Sequence, residues 1–250
     1  MGIQDISVIL FTALLPVMIL LFYMYHKDSM IPEPPGQLFK AFGLGVLSVY
    51  ITLRFYNLFQ HIHLIVPNPQ TIPECISLAF LGAAIPEELA KWVMLMSLLK
   101  GSKYFDEKVD GIVYAVFISM GFAAIENVLY LFENAEDFLS VGLSRALFSI
   151  PGHFSFAVLM GYYVSLVKFY PTHRTKNRIL MLAAPILAHG IYDTLLFCLQ
   201  VVTASPDEES LIYTGLLFVA FLVLCHRMWK YANKRIAEHL ARDREEWEEQ

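Results

Sequence analysis

Residues 109–131 read VDGIVYAVFISMGFAAIENVLYL, and this apolar stretch indicates the kind of fold that the chain adopts. Only two of its side chains, Asp110 and Glu126, carry a formal charge. The hydrocarbon core of a bilayer is about 30 Å thick, and a helix needs roughly 20 apolar residues to cross it. The stretch is therefore long enough to be a transmembrane helix, and longer than the core helix of a soluble domain needs to be.

The whole chain is also rich in apolar residues and poor in charged ones. Of its 250 residues, 57% are hydrophobic and 16% are charged, whereas soluble domains carry about 25% charged residues. The mean hydropathy is +0.54. The net charge is −5, and no basic patch interleaved with aromatic residues is present. The composition therefore excludes a nucleic-acid-binding protein and predicts a protein embedded in lipid.

Seven apolar blocks are long enough to span a bilayer. They lie at approximately residues 6–25, 38–59, 72–99, 109–131, 142–168, 179–200 and 210–229. The sequence therefore predicts an all-α, polytopic membrane helix bundle of about seven transmembrane helices. We expect a multi-pass protein of the cell membrane.

The basic residues indicate how the bundle is oriented. Fifteen of the eighteen Lys and Arg residues fall in the first, third and fifth loops and in the C-terminal tail. The remaining three, Arg54, Lys91 and Arg145, lie inside spans. The positive-inside rule then predicts an outside N-terminus and a cytoplasmic C-terminus. We divide the chain into a transmembrane domain, residues 1–229, and a charged, helical cytoplasmic tail, residues 230–250.

The third block carries three charged residues in the sequence AAIPEELAKW. Each ionisable side chain inside a bilayer costs at least about 2.5–3.5 kcal/mol, so a span that keeps several of them normally uses them. Lys91 follows Glu88 by three residues and Glu87 by four, so it can pair with either acid on a helix. Two adjacent carboxylates need a counter-charge or a proton in this environment. Pro86 loosens the helix just before them.

The fourth and fifth blocks add further polar residues. Glu126 and Asn127 lie toward the outer end of the fourth block, in GFAAIENVLY. In the fifth block, His153 follows a proline and a glycine. Arg145 precedes His153 by about two helical turns, so we expect it to neutralise a carboxylate.

The sixth block contains APILAHGIYDTLL, in which His189 and Asp193 are four residues apart. This spacing lets both side chains reach one metal ion or one substrate group. Glu88, His153 and His189 each lie near the middle of their spans, counted at about 1.5 Å per residue. We therefore expect the three side chains to meet around one buried, hydrated pocket.

A glutamate beside two histidines can hydrolyse a bond in two ways. In the first, Zn²⁺ is held by His153, His189 and either Asp193 or Glu88, its bound water has a pKa near 7, and a second glutamate takes the proton. In the second, which needs no metal, Glu88 and His153 activate water and His189 donates a hydrogen bond to the oxyanion. The residue pattern leaves both mechanisms open.

Two functions from other classes compete with hydrolysis. A proton- or ion-coupled membrane transporter is the main alternative, because buried Glu, Lys, His and Asp residues also build proton relays. An inverted repeat would favour it, and the sequence contains none. A haem protein is a weaker alternative, because its histidines would face each other without adjacent carboxylates.

Four motifs occur in order, one in each span from the third to the sixth. They are EExxK (Glu87, Glu88, Lys91), FxxxEN (Phe122, Glu126, Asn127), an arginine followed by a histidine and a later glycine (Arg145, His153, Gly161), and HxxxD (His189, Asp193). Together they resemble the PrsW family of bacterial intramembrane proteases, which is related to the CAAX prenyl endopeptidases and to bacteriocin-processing membrane proteases. The likeness covers about residues 25–200 and includes Pro32-Glu33-Pro34 in the first loop.

The resemblance implies an endopeptidase that cuts a membrane-anchored protein, in the family's case an anti-sigma factor whose cleavage starts a signalling cascade. The related prenyl proteases resemble glutamate-dependent enzymes with Asn where this chain has Asp193. This difference leaves the choice between a metal-free glutamate mechanism and a metal such as Zn²⁺ open, and it slightly favours the metal because aspartate is the better cation ligand. The expected catalytic residues are Glu87, Glu88, Glu126, His153, His189 and Asp193, supported by Lys91, Asn127 and Arg145. The expected metal ligands are His153, His189, Asp193 and Glu88.

Overall fold

The structure, a computed structural model, describes residues 3–28, 31–204 and 208–249, and these residues form helices without any β-strand. Residues 1–2, 29–30 and 205–207 of the predicted transmembrane domain, and residue 250 of the predicted tail, lie outside them. In chain order, the helices are α1 (Ile3–Lys27), α2 (Pro35–His61), α3 (Ile72–Ser77), α4 (Ile85–Leu99), α5 (Asp110–Glu133), α6 (Phe138–Ser144), α7 (Ile150–Phe169), α8 (Arg174–Thr203) and α9 (Glu208–Glu248). Two π-helical segments complete the order, Leu78–Ala84 before α4 and Arg145–Ser149 before α7.

Within the described ranges, six helices are long and apolar enough to cross a membrane. They are Ile6–Lys27, Pro35–His61, Asp110–Glu133, Phe138–Phe169, Arg174–Thr203 and Ser210–Glu248. This confirms the all-α, polytopic membrane fold. The predicted span at residues 72–99 is helical throughout but divided into α3, a π-helical segment and α4, and it is not one of the six. The count of seven spans and the orientation of the termini therefore stay predictions.

Helix α5 is the centre of the bundle. Every residue from Asp110 to Ala124 is buried, and α1, α2 and α7 all pack against this helix. A helix that is apolar on all sides is expected where other helices surround it. The outer helices instead expose large apolar side chains, such as Phe11 on α1 and Leu211 on α9, as a lipid-facing surface requires.

Each π-helical segment is followed, after one intervening residue, by a proline. Pro86 is the second residue of α4, and Pro151 is the second residue of α7. Proline has no backbone N–H to donate to the preceding turn, and a wider π-helical turn accommodates that loss. Because Glu87 and His153 follow the two prolines within two residues, the irregular turns influence the direction in which these side chains point.

Helix α9 continues without a break across the boundary predicted at residues 229 and 230. Its later part is docked on the bundle: the ring of His239 stacks on Tyr162 with centroids 4.6 Å apart. Asp243 is buried and forms an ion pair with Lys108, with an N···O distance of 3.3 Å. The division into a transmembrane domain and a tail stays a prediction, and the tail helix packs on residues of the proposed domain.

We predict that the contact between α2 and α5 tolerates no side chain at Gly45. A Cβ atom there would lie 1.9 Å from the carbonyl oxygen of Ile118, whereas one at Gly43 would meet nothing within 4 Å. Gly45→Ala should lower the free energy of unfolding in detergent micelles by about 1–3 kcal/mol. Gly43→Ala is the matched control, and it should raise that free energy by up to about 1 kcal/mol through helix propensity. Equal effects of the two substitutions would contradict the close packing.

Candidate active site

Lys91 lies at the centre of a buried polar cluster. Its Nζ atom donates to Glu87 Oε2 at 3.1 Å and to Glu88 Oε1 at 2.9 Å. The same atom lies 3.3 Å from His153 Nδ1 and 4.1 Å from the centre of the Phe122 ring. Only 2% of the Lys91 surface is exposed. The lysine therefore pairs with both acids of its motif at once and joins α4 to α7.

His189 connects α8 to the same cluster. Its Nδ1 atom lies 3.0 Å from Glu88 Oε1, and its Nε2 atom lies 3.2 Å from Asp193 Oδ2. The ring of Phe156 stacks on the imidazole with centroids 4.6 Å apart. Because ionised carboxylates only accept hydrogen bonds, both contacts are satisfied when the ring carries a proton on each nitrogen.

His153 is held in a different state. Its Nε2 atom lies 2.9 Å from Glu126 Oε2, and its Nδ1 atom faces the ammonium of Lys91. An ammonium group only donates, so Nδ1 accepts from it and Nε2–H donates to Glu126. This is a neutral imidazole with a defined tautomer, whereas His189 lies between two carboxylates.

Arg145 completes the cluster at the beginning of the second π-helical segment. Its Nη2 atom donates to Glu126 Oε2 at 2.6 Å, and its Nε atom donates to Asn127 Oδ1 at 2.5 Å. Asn127 donates in turn to the backbone oxygen of Ala13 at 2.7 Å. Arg145 thus neutralises a carboxylate, as its position in the span predicts, and Asn127 ties the cluster to α1.

The structure brings all the predicted site residues into one connected network. The rings of His153 and His189, which come from different helices, have centroids 5.6 Å apart. The convergence of Glu88, His153 and His189 expected from their depth is therefore present, and the chemical role of each residue stays a prediction. The network contains Glu87, Glu88, Lys91, Glu126, Asn127, Arg145, His153, His189 and Asp193.

A cavity of about 370 Å³ opens beside the network. The side chains that line it include Glu87, Glu126, Arg145, His153 and Asp193. Since one water molecule takes up about 30 Å³ of liquid volume, the cavity has room for several waters beside these polar groups. Glu87 lines the cavity, whereas Glu88 is fully buried behind it.

The donor atoms of the network fit a metal ion. Two groups in the described part of the chain, Glu87–Glu126–His153 and Glu87–Glu88–His189, each place one ligand atom per residue within 4.8 Å of the others. The Oε2 atom of Glu88 is buried without a hydrogen-bond partner among the described residues. Nitrogen and oxygen donors of this kind suit Zn²⁺.

The formal charges of the network agree with a divalent cation. Its described residues include four carboxylates and two permanent cations, Lys91 and Arg145, so the balance is −2 with both histidines neutral and −1 with His189 protonated on both nitrogens. Asp193, which we predicted as a ligand, belongs to neither group found among the described residues. Its contact with His189 is that of a carboxylate that orients a ligand histidine.

Two residues of the site are absent from the motifs that we used. Tyr130 lies under the guanidinium of Arg145, with its ring centre 4.0 Å from Cζ, and Phe156 stacks on His189. Tyr130 follows Glu126 by four residues, and Phe156 follows His153 by three. Helical spacing from the polar residues was therefore a signal that could have found both aromatic residues.

Comparison with known proteins identifies relatives of this chain. Residues 33–225 match the family described as "PrsW family intramembrane metalloprotease". Proteins named Protease PrsW are similar to the chain, and one from Clostridioides difficile (strain 630) is 37% identical over 187 residues, which are 74% of this chain and 77% of the relative. That of Oceanobacillus iheyensis is 33% identical over 226 residues, 90% of this chain and 96% of the relative. That of Bacillus subtilis (strain 168) is 33% identical over 208 residues, 83% and 87% of the two chains. No solved structure matches the chain.

We predict that Lys91 is required for the stability of the cluster. Lys91→Met should lower the free energy of unfolding by about 3–5 kcal/mol, because it leaves the buried carboxylates of Glu87 and Glu88 without their counter-ion. Lys100→Met, at an exposed position just after α4, is the control and should change the free energy by less than about 0.5 kcal/mol. Chemical denaturation in detergent micelles measures both. Equal small losses would mean that Lys91 does not neutralise the acids.

Proposed function

The chain belongs to the PrsW family of intramembrane proteases, and from this premise we propose that it hydrolyses a peptide bond of a membrane-anchored protein in the cavity beside Lys91. The protein is a multi-pass protein of the bacterial cell membrane and a peptidase. The observation that carries the proposed mechanism is the buried network of carboxylates and two histidines at the wall of a cavity that admits water.

Glu87 and His153 are the groups that act on water. Glu87 lines the cavity, and it takes a proton from the water whose oxygen attacks the scissile carbonyl carbon. The Glu87 carboxyl group then returns this proton to the nitrogen of the leaving amine as the C–N bond breaks. His153 lines the same cavity, with its Nε2 held by Glu126 and its Nδ1 against the Lys91 ammonium. Glu88, which the sequence suggested as the base, instead anchors Lys91 and His189.

His189 stabilises the negative charge that develops on the carbonyl oxygen. His189 and Asp193 both line the cavity, and the protonated Nε2 of His189, which lies 3.2 Å from Asp193 Oδ2, donates to the oxyanion in our proposal. Asp193 and Glu88 together keep the ring oriented and charged. A fixed donor in a site that excludes bulk water contributes more than the same donor in solution.

A metal ion fits the same residues. Glu87 and Glu88 with His189, or Glu87 and Glu126 with His153, would hold it. When bound, Zn²⁺ lowers the pKa of water toward about 7 and polarises the scissile carbonyl group. Because Glu87 belongs to both sets, it would be a ligand in the metal version, and the proton acceptor there would be a carboxylate outside the chosen set.

The substrate reaches both sides of the carboxylates. A second cavity, of about 480 Å³, is lined by residues of α2 and shares Glu87, Glu126 and Tyr130 with the first. Adjoining spaces on two sides of the acids suit an extended peptide that runs past the catalytic groups. Since the chain resembles a family whose implied substrate is an anti-sigma factor, we propose a membrane-anchored anti-sigma factor as the substrate and regulated signalling as the role.

We predict that cleavage requires Glu87, Glu88 and His153. Purified wild-type protein should cut a membrane-anchored candidate substrate in proteoliposomes, and Glu87→Gln, Glu88→Ala and His153→Ala should each lower kcat/KM by about 10²–10⁴-fold. Glu136→Ala and His61→Ala, at exposed positions, are matched controls and should cleave like wild type. A chelator should abolish cleavage by the wild type, and added Zn²⁺ should restore it. Equal cleavage by the wild type and the three site variants would overturn the assignment.

We predict a smaller effect at Asp193. The amide oxygen of Asp193→Asn still accepts a hydrogen bond from His189 Nε2, so kcat/KM should fall by about 10–100-fold, as expected for a residue that orients a ligand or donor. The same assay, with His189→Ala as reference, measures the difference. A loss as complete as that of His189→Ala would instead make Asp193 a metal ligand, as the sequence suggested.

A further inference from the structure

A second cluster of acidic residues lies at the other end of the bundle. Asp28 follows α1, and Glu107 and Asp110 lie where the loop after α4 enters α5. Glu33 and Asp106 lie beside them. Asp110 precedes Glu126 on the same helix by sixteen residues, which is about 24 Å along the axis. The cluster is therefore separate from the candidate active site.

Two carboxylate oxygens in this cluster have no partner. Asp110 accepts through Oδ2 from the backbone N–H groups of Asp106 and Glu107, at 2.9 and 2.6 Å. Asp28 accepts through Oδ2 from the N–H of Glu33 at 3.1 Å. The Oδ1 atoms of Asp28 and Asp110 are buried and have no hydrogen-bond partner in the described part of the chain. Asp28 is 2% exposed and Asp110 is 1% exposed, so each orphaned oxygen carries a desolvation cost that a ligand would remove.

The nearby lysines do not neutralise the cluster. Lys108 directs its ammonium to Asp243 at 3.3 Å and to Glu246. Lys168 lies with its Nζ atom 4.1 Å over the ring of Phe105. Neither lysine forms an ion pair with the five acids within the ranges that the structure describes.

The surroundings of the acids disfavour their charged forms. Burial, with a further contribution from neighbouring carboxylates, raises the pKa of Asp28 to about 6 and the pKa of Glu107 to about 7. Burial also raises the pKa of Glu33 to about 7, although the Tyr114 hydroxyl donates to this carboxylate. Any negative charge that the cluster carries has no ion-pair partner among the described residues, because Lys108 and Lys168 are engaged elsewhere.

We propose that Asp28, Glu107 and Asp110 bind one hard divalent cation, Mg²⁺ or Ca²⁺. One oxygen from each of the three lies within 4.8 Å of the others, which is close enough for all three to contact one ion at about 2.4 Å each. The two orphaned oxygens belong to two of these three residues. The described part of the cluster offers carboxylate oxygens and neither His nor Cys, which favours Mg²⁺ or Ca²⁺ over Zn²⁺.

The cation would join two segments of the chain. Asp28 follows the end of α1, and Glu107 and Asp110 lie where the loop after α4 enters the central helix α5. Next to Glu107, Lys108 holds Asp243 of α9, and the backbone N–H of Lys108 also donates to Asp243 at 2.9 Å. A cation at this position would therefore fix the first loop against α5, next to the docking site of the C-terminal helix.

The full-length protein in detergent micelles tests the proposal after treatment with a chelator and its removal. Thermal unfolding is followed at pH 7.5 with CaCl₂ or MgCl₂, and calorimetry gives the Kd. At ten times Kd the wild-type midpoint should rise by about 3–6 °C. Asp28→Asn and Asp110→Asn should abolish the rise, and Asp137→Asn, at an exposed position in the loop before α6, should retain it. Glu87→Gln should also retain it, because the active site is a different site.

A second measurement does not depend on stability. Tb³⁺ bound at the cluster should luminesce on excitation of tyrosine, because Tyr114 contacts Glu33, and Ca²⁺ should compete for it. The signal should be lost in Asp110→Asn and weakened in Tyr114→Phe.

An unchanged wild-type midpoint with either cation, or an equal rise in wild type and Asp110→Asn, would overturn the proposal. Stabilisation of the wild-type protein only when the pH is lowered through 7, and not by either cation, would also overturn the proposal. Protons would then be the species that neutralises the cluster. The sign follows from the raised pKa values, since a carboxyl whose pKa is raised by folding favours the folded state as it becomes protonated.

Discussion

The ammonium of Lys91, held between Glu87 and Glu88, is the interaction on which the rest of the site depends. A single charge inside a membrane bundle is expensive, and its removal from a buried pair leaves the partner uncompensated. Each permanent cation of the network therefore lies against carboxylates: Lys91 pairs with two acids, and Arg145 pairs with Glu126. The contacts that cross between helices are those of His153 with Lys91 and Glu126 and of His189 with Glu88, and they hold α4, α5, α7 and α8 together at one level.

The backbone supports this arrangement with two similar irregularities. In α4 and in α7, a π-helical segment precedes a proline at the second helical position, and a functional side chain follows the proline within two residues. A π-helical turn changes the angular phase of everything after it. The combination of a π-helical turn and a proline thus occurs twice. It directs Glu87 and His153 toward each other across the bundle, where Lys91 contacts both.

This change in the angular phase of the helix also explains why some features of the fold and site were predictable from the sequence and others were not. Apolar block lengths predicted the six helices that can cross a membrane, and the i,i+3 and i,i+4 spacings predicted the pairing of Lys91 with its two acids. Residue depth predicted that Glu88, His153 and His189 meet. Which of two adjacent glutamates faces the cavity depends on the phase of the helix after the π-helical segment, and no periodic pattern reports it. No sequence pattern indicated the cluster around Asp110 either. Asp28 is distant from the other acids in sequence, and most of the acids lie in loops, which have no periodic pattern.

One polar cluster lies toward each end of α5, and in both of them an excess of carboxylate groups has to be compensated. The donor atoms of the two clusters suit different cations. Both hold more carboxylates than the cations beside them neutralise, so both require a cation or protons. The candidate active site mixes imidazole nitrogen with carboxylate oxygen, as Zn²⁺ prefers, and it lies beside a cavity with room for several waters. The cluster at Asp110 offers carboxylate oxygens and buries them against the first loop, as a structural Mg²⁺ or Ca²⁺ ion requires. Since α5 is buried on every side from Asp110 to Ala124, it separates the two sites, and ions bound at the two sites would act on catalysis and on stability through different residues.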